Sequence, residues 1–461
     1  MEQKNEFLGT EPVRKLLFRL AIPTVAAQLI NMLYNIVDRI YIGHMPGDGD
    51  LALTGVGVCL PVILVVSAFA ALVGSGGGPR LSIAMGRKEN DRAEKIMGSC
   101  LAFLVMISVI LTAVLLIWKK PLLLAFGASE NTIGYAVDYL GIYAIGTIFV
   151  QITLGMNCFI TAQGFSKMGM ITVLIGAVMN IVLDPVLIFG FNMGVRGAAL
   201  ATIISQGASC VWVLLFLARG KKLAVRLKPA NIRLDLRVVG PCVALGVAPF
   251  IMQASESVIS VCFNASLLKY GGDVAVGAMT ILSSVMQFAM MPLQGLAQGA
   301  QPIISYNYGA GEEKRVRQTF RLLLGASLVY SVSLWALVQL FPGVFAGIFT
   351  SDAVLKPFAA EMLRIYCAVL CLFGVQIACQ MTFVSLGKAG ASVIVAVMRK
   401  FVLLLPLIYI MPGLVADKTR GVYMAEPVAD VLAVTFTAIL FVFQFRKTMR
   451  EIEPDQKAIA Q

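Results

Sequence analysis

Twelve long apolar stretches leave this chain little freedom in what it can fold into. Hydropathy places them at residues 16–43, 52–78, 96–117, 131–160, 170–190, 197–218, 241–269, 274–303, 322–345, 360–386, 392–412 and 422–445. Each reaches the roughly 20 residues that a helix needs to cross a bilayer, and a backbone in lipid must satisfy its own polar groups. The expected fold is an all-α integral membrane protein with twelve transmembrane helices. Together the stretches use up most of the 461 residues, so no large soluble catalytic domain fits beside them. Charged residues make up only 13% of the chain, against about 25% in soluble domains. The formal net charge is nevertheless +12, so the position of the basic residues matters more than their number.

They lie in alternate loops. With both termini cytoplasmic, the inner segments hold 25 Lys and Arg and the outer loops six, the asymmetry described by the positive-inside rule. Seven of the inner ones stand in 219–240, RGKKLAVRLKPANIRLDLRVVG. Basic residues in such a loop set topology and meet lipid headgroups, so nucleic acid is not an expected partner. The first fifteen residues are polar, without the apolar core of a cleavable signal peptide. The nine cysteines, among them Cys59, Cys100, Cys158, Cys210 and Cys262, sit in apolar runs without a CxxC pair and read as packing residues. His44 is the only histidine and lies in a loop, which argues against a His-rich metal site or a His-dependent intramembrane enzyme. No GxxxxGK[ST] motif occurs, so transport would be driven by something other than ATP hydrolysed on this chain. No cofactor is expected beyond a coupling ion. The expected partners are small molecules and the bilayer, with the chain working as a monomer.

The two halves repeat. AIPTVAAQLINMLYNIVD (21–38) aligns with VAPFIMQASESVISVCFN (247–264), and GPRLSIAMGRKEND aligns with AQPIISYNYGAGEE, so that Pro23 meets Pro249 and Pro79 meets Pro302. Two six-helix lobes follow, 1–220 and 241–461, joined by a cytoplasmic linker at 221–240. An even number of spans per lobe makes the repeat parallel, about an axis along the membrane normal. The glycines of GSGGGPRLSIAMG (74–86) are expected to serve close helix packing and an abrupt turn at the inner face.

Ionisable residues inside spans point to function, because an acid near a helix centre costs about 2.5–3.5 kcal/mol on insertion scales. In span one Asn31, Tyr34, Asn35 and Asp38 form a polar stripe. In span five Asn180 and Asp184 share a helix face, and Pro185 frees the Ile181 carbonyl; span six adds Thr202. Asp38, Asp184 and Thr202 lie five or six residues from their outer helix ends, a common depth of about 7–9 Å. Two carboxylates, an amide oxygen and a hydroxyl are hard ligands suited to Na+, and two close acids in low dielectric could equally hold a proton. The second lobe offers Asn264, about Phe401, Leu405 and about Glu426 at the matching places, so ion coupling is expected to be one-sided. Glu256, Arg399 and Lys400 remain there as interior charges, for substrate contact or for pairing with one another. Met286 and Met290, in a cluster with Met252, Met279 and Met291, are adaptable thioethers that suit varied apolar ligands or ordinary apolar filling.

Pro23, the VD of YNIVDRIYIG, the loop GPRLSIAMGRKEND, the run MNIVLDPVLIFG, the following GVRGAALAT and QPIISYNYGAG together resemble the multidrug and toxic compound extrusion (MATE) family, and look closest to its bacterial MepA-like branch. The likeness runs over nearly the whole chain. It implies two bundles in a V, a place in the bacterial plasma membrane, alternating access, and drug efflux against an inward Na+ or H+ gradient. It also implies a cation site at Asp38, Asn180, Asp184 and Thr202, with Tyr34 and Asn157 lining the cavity beside it. Some members carry coupling acids in the second lobe, and Glu256 is near one such place. The leading expectation is thus a cation-coupled exporter of amphipathic, often cationic small molecules. A flippase of lipid-linked oligosaccharides on the same scaffold is the alternative; it would present a strongly basic cavity. A membrane-embedded enzyme would need a nucleophile with its base or a metal cluster, and neither is seen.

Overall fold

The longest helix cannot be one span. Helical structure runs from Leu236 to Gly309, 74 residues, which if straight would measure about 110 Å against a hydrocarbon core of about 30 Å. At Gly272 the backbone leaves the helix, with φ 65° and ψ −162°, a region open essentially to glycine alone. The chain doubles back there: Gly246, before the break, and Gly309, after it, abut the Leu72 and Ile83 backbones of the same helix. In this computed structural model, which describes residues 6–45 and 49–459, every regular element among those residues is helical.

Among the described residues this gives twelve spans. They are α1 (Val13–Gly43), α2 (Gly49–Gly86), α3 (Asn90–Ala125), α4 (Ile133–Ile145 and Thr147–Ala162, bent by 58°), α5 (Ser166–Gly190) and α6 (Val195–Arg219) in the first lobe. The second lobe has α7 (236–271), α8 (273–309), α9 (Glu313–Leu340), α10 (Leu355–Tyr366 and Leu370–Ser385, bent by 45°), α11 (Ala389–Leu414) and α12 (Lys418–Ile459). Several helices run beyond the apolar stretches, α3 by several residues at each end, because a helix continues into water where hydropathy no longer marks it. One expectation fails. The run 74–86 makes no abrupt turn; it is helical to Gly86, and the chain turns only at 87–89.

The apolar cores define a V. At the face carrying the 219–240 linker, a single core draws Leu16, Leu81 and Met97 from the first lobe and Cys242, Ile303 and Phe383 from the second. Away from that face the core divides into one cluster around Val56, Tyr139 and Ala198, and another around Phe263, Leu282 and Tyr423. The two lobes approach backbone to backbone at the joined end. A methyl group on Gly76 would run into the Cys242 carbonyl, one on Gly246 into Leu72, and one on Gly299 into Ala21 of α1. Without a side chain in the way, helices reach the close contact on which membrane packing depends. Thr24 adds a polar tie, its hydroxyl donating to the Gly295 carbonyl at 2.6 Å. The linker stays with the first lobe. Leu223, Val225 and Leu227 are buried in the joined core, and Lys228 pairs with Glu94 at 2.6 Å.

Candidate functional site

Pro185 shapes the first-lobe cluster. It has no N–H for the carbonyl four residues earlier, and beyond it α5 widens into a π-helical turn, Val186–Gly190, a distortion frequent at functional sites. Gly197 of α6 fits against the widened turn, where a methyl group would crowd Leu187 and Ile188. That contact sets Thr202 beside Asn180. The Asn180 side-chain amide donates to Asp184 Oδ1 at 3.2 Å and to Thr202 Oγ1 at 3.5 Å, while the Thr202 hydroxyl donates back to the Ala198 carbonyl at 3.0 Å. Asn180 is 2% exposed and Asp184 fully buried. Asp38 of α1 completes the group, its carboxyl next to that of Asp184.

The cluster has too few donors. Asp38 Oδ1, Asn180 Oδ1 and Asp184 Oδ2 are buried and accept no hydrogen bond from a neighbouring N–H or hydroxyl, and the two carboxyls can bond each other only through a proton held between them. A buried acceptor left unsatisfied costs about 1–3 kcal/mol. All three are oxygens and two belong to carboxylates, a donor set with the chemistry to take a small hard cation or a proton. Among the described residues no group of three or more His, Cys, Asp or Glu could hold a metal ion.

Not every residue singled out in the sequence joins this cluster. Tyr34 stands beside Asp38 and Asn35. Asn35 is exposed and its amide donates to the Asn31 carbonyl at 2.6 Å, with Asn31 half-buried. Asn157 is not brought alongside: its amide donates to the Gly169 carbonyl at 3.3 Å, which along α5 is about 16 Å from Asn180. Its Oδ1 is buried and unpaired. Two residues of the wall escaped the sequence reading. Tyr139 and Tyr143 of α4 are 4% and 3% exposed, their rings stacked with centroids 6.3 Å apart, and Tyr139 reaches Thr202. Their signal was the i, i+4 tyrosine pair in YAVDYLGIY, masked by its apolar setting.

The second lobe answers with ion pairs. Lys400 Nζ lies 2.6 Å from Glu256 Oε1; Arg399 reaches Asp430 at 2.9 Å and Glu426 at 3.6 Å, and stacks over the Phe373 ring at 4.8 Å. Arg399, Lys400, Glu426 and Asp430 are all at most 8% exposed, whereas the Glu256 side chain is 57% exposed. Asp430 was missed in the sequence, although Glu426 and Asp430 share a face at i, i+4 opposite the Arg-Lys pair. Met286 and Met290 lie half-buried against the second-lobe core. Both interior cations of this cluster are thus paired with acids.

The MatE family profile matches residues 23–186 and 249–410, one match in each lobe. Over 445 residues the chain is 24% identical to "Multidrug export protein MepA" of Staphylococcus saprophyticus, covering 96% of this chain and 97% of that one. It is 33% identical to the solved structure of a MATE multidrug transporter, DinF-BH, with a TM-score of 0.89 and coverage of 97% and 99%. A MATE crystal structure in the bent conformation superposes with a TM-score of 0.91 at 20% identity over 98% of this chain.

Proposed function

The chain belongs to the MatE family of membrane transporters, and on that premise we propose that it is a secondary active multidrug exporter, expelling amphipathic, often cationic small molecules by alternating access in exchange for Na+ or H+. The relatives named for multidrug export support the substrate class. The observation that carries the coupling is the set of three unpartnered buried oxygens on Asp38, Asn180 and Asp184. An ion or proton supplies what the protein leaves out. Its binding stabilises one arrangement of α1, α5 and α6 over another, and a gradient acts on a transporter only through such a difference between states.

The moving units are residues 1–220 and 241–461, with 221–240 carried by the first, and the linker face is cytoplasmic, the side that its basic residues favour. Tyr34 and the exposed carboxylate of Glu256 face the route of the drug, and Met286 and Met290 give the second-lobe wall its pliancy. The flippase alternative is disfavoured because Arg399 and Lys400 are engaged by acids. The test is ethidium efflux from vesicles holding the purified protein, under an imposed Na+ gradient and, separately, an imposed pH gradient. Efflux driven by one of them is expected. Efflux driven by neither, with lipid flipping in its place, would overturn the proposal.

A further inference from the structure

A four-residue helix ahead of α1, Phe7–Thr10, touches both lobes at the linker face. Its side chains belong to the first lobe. Phe7 packs edge-to-face on Phe165 of the α4–α5 turn, centroids 6.3 Å apart, under the Arg19 guanidinium at 4.7 Å; Leu8 is fully buried, and Arg19 pairs with Glu11 at 2.7 Å. Its carbonyls belong to the second. A helix this short leaves its last C=O groups without intrahelical partners, and the end of α8 and the start of α9 supply donors. Asn307 Nδ2 donates to the Leu8 carbonyl at 3.0 Å; Arg315 Nη2 donates to Leu8 at 3.1 Å and to Glu11 at 2.7 Å. Arg315 Nε is itself fixed on Asn307 Oδ1 at 2.9 Å, and a methyl group on Gly9 would press on the Tyr306 ring.

We propose that residues 7–11 are a latch that holds the linker face shut, with Arg315 as the residue that closes it. The inference rests on the alternating-access reading, because only a lobe movement that opens this face requires the contact to break. Three features give it the properties of a latch rather than a permanent staple. The apolar anchor and the polar catch sit on different lobes, so separating the lobes breaks the catch while Phe7 stays packed on Phe165. The catch is a small set of hydrogen bonds to neutral carbonyl oxygens, and among the described residues Arg315 makes no ion pair, so water can take over each bond on release. The catch also lies at the joined end of the V, where a small separation of α8 from α1 acts on it directly.

The test joins Gly9→Cys to Tyr306→Cys with a short bifunctional methanethiosulfonate reagent that reductant removes, in vesicles where wild-type ethidium efflux has been established. Cross-linking should cut efflux by at least tenfold and reductant should restore it, while each single-cysteine variant treated alike keeps its rate. Full efflux by the cross-linked protein would overturn the latch while leaving the transport reading intact; absence of wild-type efflux would strike that reading instead. A second measurement stands independently of the cross-link. Arg315→Ala should raise hydrogen exchange of the 7–11 amides by roughly tenfold or more, as expected for losing charge-assisted bonds, and unchanged exchange would also overturn the latch.

Discussion

Asn180 decides what the first-lobe cluster can bind. Its N–H groups are spent on Asp184 and Thr202, leaving its oxygen beside two carboxylates. Asn180→Ala and Thr202→Ala should therefore each give an intermediate loss of efflux, larger if the ion is Na+, because a metal ion needs several oxygens and a proton needs one. Initial rates under both gradients check this. In the second lobe, Asp430→Ala would leave the Arg399 guanidinium poorly compensated in the interior, and breaking a buried pair costs about 3–5 kcal/mol; a clear fall in the thermal midpoint in detergent is expected. Glu256→Gln keeps an oxygen for Lys400, so it should weaken efflux of some substrates while ion-driven transport of others persists. The four polar residues of the first-lobe cluster were legible because an Asn-Asp pair before a proline, in an apolar run, has few structural uses. Asp430 was not, since its meaning lies in a partner thirty-one residues away.

At the scale of elements, hydropathy located every span but could not mark where helices stop. α3 begins at Asn90 and ends at Ala125, with Lys95, Lys119 and Lys120 inside it, because polar residues continue a helix as readily as apolar ones once it leaves the lipid. The glycine run of α2 gives the close packing expected of it but not the turn, because glycines that mark turns in water mark close packing in lipid. The Phe7–Thr10 helix lay within a polar tail, and its carbonyls are met by Asn307 and Arg315, some three hundred residues on. Gly272 is the element on which the α7–α8 reversal depends. Gly272→Ala places a Cβ on a backbone with φ 65° and ψ −162° and should cost about 1–3 kcal/mol, read as a lower thermal midpoint with unchanged ion selectivity.

The whole molecule is two lobes that share one core at the linker face and hold separate cores away from it, and the internal repeat made the two-lobe division visible in the sequence. What the repeat could not convey is the angle between the lobes, which is set by backbone contacts such as Gly76 with Cys242 and Gly246 with Leu72. If the linker face is cytoplasmic, single-cysteine reporters at Asn90, Asp235 and Glu313 should react only from inside, and those at Asp50, Gly194 and Gly271 from outside. A reporter at Asp235 that reacts from outside would invert the orientation. On the proposed function, the orphan oxygens around Asp38 and Asp184 turn an ion gradient into outward drug movement. The most direct test of this is gradient-driven ethidium efflux by purified Asp38→Asn and Asp184→Asn proteins in vesicles, alongside a titration of ethidium binding to each. Both variants are expected to bind the drug and fail to concentrate it; wild-type efflux by both would contradict the claim.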